Sequence, residues 1–399
     1  MLRLPTENTL DREENIMAEW INTTLEECTD ILGDGLHGTP KYTENGEYAF
    51  VNGNNLVDGE ILIKKETKRV DYSQYDKYKK PLTNRTILVS INGTLGNVGV
   101  YGSEKIILGK SACYFNVKES VDKDFIYYIV SSPTFKHYLE SNATGTTIKN
   151  ISLKQMRKYT FELPEIGEQK RISSVLRKID EKIKNNRAIN KNLEQQAQAI
   201  FKSWFINFEP FSNRKPSGWS VLTLGNVSIM GAGGDKPQNV SPIRTDLYEY
   251  PIYSNGLSNE GLYGFTDKPK ISEESVTVSA RGTIGFVCLR HIPYVPIVRL
   301  VTLIPKTEII SAKYLYLWLK QLHITGTGTT QQQLTVPDFQ KTEILVPSQE
   351  IVTLFTATVE PIFEKIWANQ NENEKLSSLR DTLLPKLMSG ELDVSDTEI

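Results

Sequence analysis

Along Ile172–Trp204 the large apolar residues fall at Ile172, Leu176, Ile179, Ile183, Leu193, Ala197, Ile200 and Trp204, with Asn186 and Asn190 in the two intervening places. Steps that alternate four and three residues mark the heptad seam of a helix packed against one partner helix. No proline or glycine interrupts the run, so nothing in it argues for a break. At ~1.5 Å per residue such a helix spans roughly 50 Å. The pattern returns at Phe355, Val359, Ile362, Ile366, Leu376, Leu383 and Leu387, with Asn369 and Asn373 on the seam. Ile179, Ile183, Asn186, Asn190 and Leu193 each find their counterpart 183 residues later. A seam asparagine costs stability but fixes register, because its amide needs a partner amide. Antiparallel pairing sets Asn186 opposite Asn373 and Asn190 opposite Asn369; the same alignment brings Ile172 to Leu387 and Trp204 to Phe355. The plain alternative is two unrelated core helices with stray asparagines.

The stretches before each helix repeat as well. Glu19-Trp20 through Leu25 reads as an opening strand, matched by Gly218-Trp219 through Leu224. Ile87–Gly96 is a β run entering a glycine turn, and Val276–Gly285 is its counterpart. Phe125–Tyr128 and Tyr314–Leu317 each open a short amphipathic helix. Thr144-Gly145-Thr146-Thr147 matches Thr327-Gly328-Thr329-Thr330, and each module ends in a strand closed by proline, at Pro164 and Pro347. A repeat near 190 residues is too long for a solenoid. It is a duplicated module plus helix.

The predicted fold class is therefore α+β: two similar α/β modules held apart by two long antiparallel coiled-coil helices, with pseudo-twofold internal duplication. The chain divides into an N-terminal extension (1–17), a first module (18–164), a central helix (165–206), a linker (207–217), a second module (218–347), a C-terminal helix (348–392) and a tail (393–399). The linker's prolines and polar residues end the first helix.

Composition narrows the class. With 39% hydrophobic and 24% charged residues, the 399-residue chain reads as ordinary soluble globular protein of two or three domains. No apolar run approaches ~20 residues and the polar N-terminus does not resemble a signal peptide, so no membrane span is expected and the cytoplasm is the expected location. Three widely spaced cysteines, Cys28, Cys113 and Cys288, fit free thiols in a reducing compartment. Net charge is −2, so any nucleic-acid binding rests on local patches.

The duplicated order, the Gly-Thr-x-Gly turns, the Thr-Gly-Thr-Thr segments and the closing run Leu383-Leu384-Pro385-Lys386-Leu387-Met388-Ser389-Gly390-Glu391-Leu392 resemble the specificity subunit of type I restriction–modification enzymes, from about Trp20 to Leu392. The resemblance implies that each module is a target recognition domain. It implies too that the paired helices set the spacing between two half-sites and dock two methylation subunits, through which restriction subunits join. S-adenosylmethionine, ATP and Mg are then expected on the partner subunits, with no cofactor on this chain and no catalysis by it.

Other chemistry finds little footing. Gly109-Lys110-Ser111 would end a phosphate-binding loop only if glycine stood at Glu104. Gly93, Gly96 and Gly99 precede no helix pattern that could offer its N-terminus to a phosphate. Cys288 and His291 are half of a metal site without a second pair, while His37, His137 and His323 are isolated. Neither Asn-Pro-Pro-Tyr nor Asp-Pro-Pro-Tyr occurs.

Amide, guanidinium, ammonium and hydroxyl groups read base edges; Lys, Arg and backbone amides hold phosphates. On that basis the first module offers Lys41, Tyr42, Asn52, Asn54, Asn55, Lys64, Lys65, Asn92, Thr94, Lys149 and Asn150 as DNA contacts. The second offers Lys236, Ser254, Asn255, Arg281, Thr283, Gln331, Gln332 and Gln333. Polar loops are ordinarily just solvated, which is the bland reading of each. Equivalent loops carry unlike side chains, Asn92 against Arg281 and Lys149-Asn150 against the glutamines, so an asymmetric bipartite duplex target is expected. Half-sites on one face of B-DNA lie about 34–36 Å apart, within reach of modules near the ends of a ~50 Å rod. Two other readings remain: a stand-alone DNA-binding regulator, which would not co-purify with a methylation subunit, and a coiled-coil scaffold, which would show no salt-dependent duplex binding.

Overall fold

A computed structural model describes residues 20–326, 332–392 and 394. The 1–17 extension, Thr327–Thr330, Gln331 and most of the 393–399 tail lie outside the described residues. The chain forms two compact units, one made of residues up to Lys184 with those from Glu372 onward, the other of Asn185–Asn371.

In the first unit a four-stranded antiparallel sheet runs in the order Thr29–Asp34, Ala112–Val117, Thr86–Ser90, Val98–Val100. Every residue of the two middle strands is buried, so they read as unbroken runs instead of alternations. Two polar side chains among them, Thr86 and Asn116, hydrogen-bond each other. A three-stranded sheet places Tyr48–Val51 between Arg69–Val70 and, in parallel, Ile106–Leu108. Ile21–Thr24 pairs with Thr160–Leu163 just before the long helix.

The second unit repeats this wiring. Its four-stranded sheet orders Ser228–Ala232, Leu300–Pro305, Ser275–Ser279 and Val287–Arg290. Its three-stranded sheet sets Tyr250–Tyr253 between Leu262–Thr266 and, again in parallel, Val295–Pro296. Ser220–Thr223 pairs with Glu343–Val346. The duplication read from the sequence is present in these three sheets of each unit; the first unit adds a short pair, Leu56–Val57 with Glu60–Ile61. The anticipated short helices span Lys123–Ser131 and Ala312–Gln321. Asp122 and Ser311 cap them by accepting from the N–H groups of Phe125 and Tyr314.

The long helices are Ile166–Phe205 and Gln349–Met388, 40 residues each. At the start of the first, the buried Gln169 side chain accepts from Asp122 N–H and donates to Pro164 O, tying the helix to its module. The second continues through Pro361, which cannot donate to the carbonyl of Ala357; Phe355, Val359 and Phe363 around it are buried in the second unit's core.

Within each unit the helices pair in the expected antiparallel register. In the second unit Asn369 Nδ2 donates to Asn190 Oδ1 at 2.8 Å, and Asn190 Nδ2 donates to Ile366 O at 3.1 Å. Trp204 meets Phe355 edge-on, with ring centroids 5.7 Å apart. In the first, Ile172 and Leu387 share one buried cluster, and Arg380 Nη1 bonds Asp180 Oδ1 at 2.8 Å. Asn186 belongs to the second unit and Asn373 to the first, and their pairing stays an expectation.

The helices bury more than the seam. Phe201, Phe205, Val352, Phe363 and Leu384 are all buried beside it, because each helix also faces a module. Burying one such ring contributes roughly 1.5–3 kcal/mol. Tyrosine hooks complete the joints. Tyr128 donates its hydroxyl to Asp180 at 2.8 Å, and Tyr316 donates to Glu194 at 2.6 Å. Burial opposes ionisation of Glu194, yet the bonds from Tyr316 and Lys320 hold its carboxyl below the usual range.

Candidate nucleic-acid interface

Both modules gather their polar turns around the same joint, where the glycine turn leaves the central strand. In the first, Gly93 and Gly96 take positive φ of 79° each, a backbone that glycine adopts freely. Ser90 closes the turn: its Oγ donates to Thr94 O at 2.6 Å and accepts from Asn97 N at 2.8 Å. Asn97 then reaches Gly53 O at 3.4 Å, tying the turn to the loop after Tyr48–Val51. That loop is itself braced, since Ser111 Oγ accepts from Gly53 N and donates to Asn52 Oδ1. On the other side Gly93 N bonds Lys149 O at 2.9 Å, and Asn92 Nδ2 bonds Asn150 Oδ1 at 3.3 Å.

The second module builds the joint with other side chains. Gly282 and Gly285 have φ of 76° and 83°. Thr283 Oγ1 donates to Asn255 O at 2.7 Å, while Asn255 Nδ2 donates to Arg281 O at 2.7 Å. Leu334 N bonds Ala280 O at 2.8 Å, just as Ile151 N bonds Ile91 O at 3.0 Å in the first module. One scaffold therefore presents two different sets of groups.

Of the candidates, Asn52, Asn92, Lys149 and Asn150 are brought to one joint, with Thr94 exposed at the turn's tip. Asn54, Lys64 and Lys65 are exposed, and Lys64 N is held by Thr67 Oγ1. Lys41 is exposed with its N–H on Gln74, and Tyr42 packs edge-on against Phe50. Asn55 is a correction. It is buried, and its carboxamide bonds Asn52 N, Leu62 O and Thr67 Oγ1, so it shapes the loop and offers no free edge to a base. In the second module Ser254, Asn255, Arg281 and Thr283 converge, and Gln332 and Gln333 are exposed beside Leu334. Lys236 stands over the Tyr263 ring at 5.8 Å. The bracing roles of Asn97 and Ser111 escaped the sequence, because nothing in their spacing marks a residue that works only by holding others.

Cys288 and His291 are each held by other packing. Cys288 is buried in its strand, where burial pushes the thiol up to about 12. The His291 ring stacks on Trp367 at 4.1 Å, and burial together with Lys313 and Arg290 lowers its pKa to about 4.

Two copies of one mixed-sheet module, joined to paired helices and carrying unlike polar turns, define a tandem recognition protein. The chain matches the model of the type I restriction modification DNA specificity domain over residues 17–195 and 216–377 and belongs to that family. It is a specificity subunit of a type I restriction–modification system, a DNA-recognition subunit without catalysis of its own. It is 26% identical over 398 residues to the type I restriction enzyme MjaIX specificity subunit of Methanocaldococcus jannaschii, covering 90% of this chain and 87% of that one. The HindI specificity subunit of Haemophilus influenzae is 25% identical over 358 residues, covering 67% and 77%. A crystal structure of a type I restriction-modification S subunit from M. genitalium shares the fold, with a TM-score of 0.57 at 20% identity over 94% of this chain and 98% of that one. No helix among the described residues is long and apolar enough to cross a membrane.

Proposed function

We propose that this subunit reads an asymmetric, bipartite duplex DNA target, one half-site per module, and that the paired helices set the spacer and dock two methylation subunits. Restriction subunits join through these, and S-adenosylmethionine, ATP and Mg are bound by the partners, in the cytoplasm. One observation carries the reading: the same joint, built twice, carries half-buried Asn92 and Asn150 beside exposed Lys149 in one module, and half-buried Arg281 beside exposed Gln332 and Gln333 in the other. Guanidinium favours guanine edges and carboxamide favours adenine edges, so the two half-sites differ. The module boundaries at 18–164 and 218–347 are part of the same proposal.

Mapping of methylated sites made by the subunit with its methylation partner tests it. Asn92→Ala should relax one half-site and Arg281→Ala the other, each by about 1–3 kcal/mol at the affected position. A single change that relaxed both half-sites would overturn one-module, one-half-site reading.

A further inference from the structure

Arg290 lies at the end of the strand Val287–Arg290 with 3% exposure, below the loop Ser254–Gly261. Its Nε donates to Thr277 Oγ1 at 3.0 Å. Its Nη1 and Nη2 hold Glu260 through the carboxylate at 3.1 Å and the carbonyl at 2.7 Å. Its guanidinium carbon sits 3.6 Å from the centre of the Tyr253 ring. Each of its three nitrogens and one face of the guanidinium are therefore engaged, and three of these contacts end on the loop or on the strand that feeds it. The loop needs such a hold, because Asn259 and Glu260 both take left-handed φ, 46° and 53°. Consecutive non-glycine residues stay there only where their surroundings over-determine them. The loop's ends are closed by Ser254 N on Gly261 O at 2.8 Å, and Asn255 within it sets the Arg281–Thr283 turn from both sides. In the first module the corresponding strand position is Tyr101, whose N–H bonds Thr86 O, with no ion pair in its place.

We propose that Arg290 is a positioning residue for recognition: through Glu260 and Tyr253 it fixes the Ser254–Gly261 loop against the Arg281 turn and so sets which bases the second module accepts. It touches no DNA itself. The proposal rests on the one-module, one-half-site reading above.

The test uses the full-length subunit co-expressed with its methylation partner, in wild-type, Arg290→Met, Arg290→Lys and Glu260→Gln forms, with Arg281→Ala marking the second module's half-site. Methylated-site mapping gives discrimination at each position, and thermal unfolding of the purified complex reports the fold. Arg290→Met should lower discrimination about tenfold, the scale of one well-made base contact, at the half-site that Arg281→Ala relaxes and leave the other unchanged. Arg290→Lys, which keeps charge but loses the fork, should fall between. Glu260→Gln should relax the same half-site with the melting temperature unchanged. Undiminished discrimination in both Arg290→Met and Glu260→Gln overturns the proposal, as does equal relaxation of both half-sites. Should Arg290→Met fail to fold, Glu260→Gln decides alone. A wild-type complex that methylated no bipartite target would instead overturn the function proposed above.

Discussion

Asn190 and Asn369 supply the sharpest test of the helix register, because their bond lies inside one unit. Asn369 is 1% exposed, and its Nδ2 has Asn190 Oδ1 at 2.8 Å. Replacing Asn190 by leucine strands that buried donor, which costs roughly 1–3 kcal/mol. Replacing Asn369 leaves a half-buried Asn190 that can turn to water while keeping Ile366 O, at about 1 kcal/mol. The double replacement strands nothing and adds apolar contact, so it should be close to neutral. The cycle then gives a coupling of about 2–4 kcal/mol. Four of the five tryptophans, Trp204, Trp219, Trp318 and Trp367, lie in the second unit, so urea unfolding followed by fluorescence reports that unit. In a parallel thermal scan the midpoint should fall by about 2–4 °C per kcal/mol lost for Asn190→Leu and recover in the double variant. If the double variant loses the sum of the two single losses, the amides are not partners and the register reasoning fails.

Three further outcomes are expected. Four residues inserted into one long helix add about 6 Å, near two base pairs at ~3.4 Å each, so methylated-site mapping should find a changed spacer between unchanged half-sites; altered half-sites would count against the ruler. His291, with its pKa lowered to about 4 from 6.5, takes up fewer protons folded than unfolded between those values. Its neutral form therefore contributes full stability above pH 6.5, lost as pH falls toward 4, by about 2 kcal/mol after discounting for partial exposure. His291→Phe should flatten that part of the pH–stability curve, read by tryptophan fluorescence, and an unchanged difference between the two proteins across the range would refute it. Lys64→Ala with Lys65→Ala should weaken duplex binding by the complex equally across sequences and shrink the slope against log salt by about 2; a sequence-selective loss would mean these side chains read bases.

The helices and the duplication were legible because they are periodic. Every step of four and three in Ile172–Trp204 reports the same geometric demand, so a few substitutions do not hide it. The strands were found where they are buried on both faces, as in Thr86–Ser90, or closed by proline, as at Pro164. What escaped was lateral. Phe201, Phe205 and Phe363 lie off the seam, and only the packed module explains why they are buried. The register of a helix pair can be written from one sequence line; the second face of each helix depends on folds that the line does not display.

The recognition joint shows the same limit at the scale of single side chains. Asn52, Asn54 and Asn55 look alike in sequence, three carboxamides in a glycine-bearing loop, yet Asn55 alone is turned inward onto Asn52 N, Leu62 O and Thr67 Oγ1. Burial decides between them, because a carboxamide whose donors and acceptor are already bonded inside the protein gains nothing by leaving for a base edge. The converse holds for Arg290. It sits at the end of a strand, a place where a charged residue normally means solvent, but three fixed contacts turn it into the floor of a loop. Specificity in such a module thus depends on two layers, the exposed groups that can meet a base and the buried ones that leave them a single place to stand. The exposed layer can be proposed from composition. The buried layer emerges only when donors and acceptors are paired off one by one.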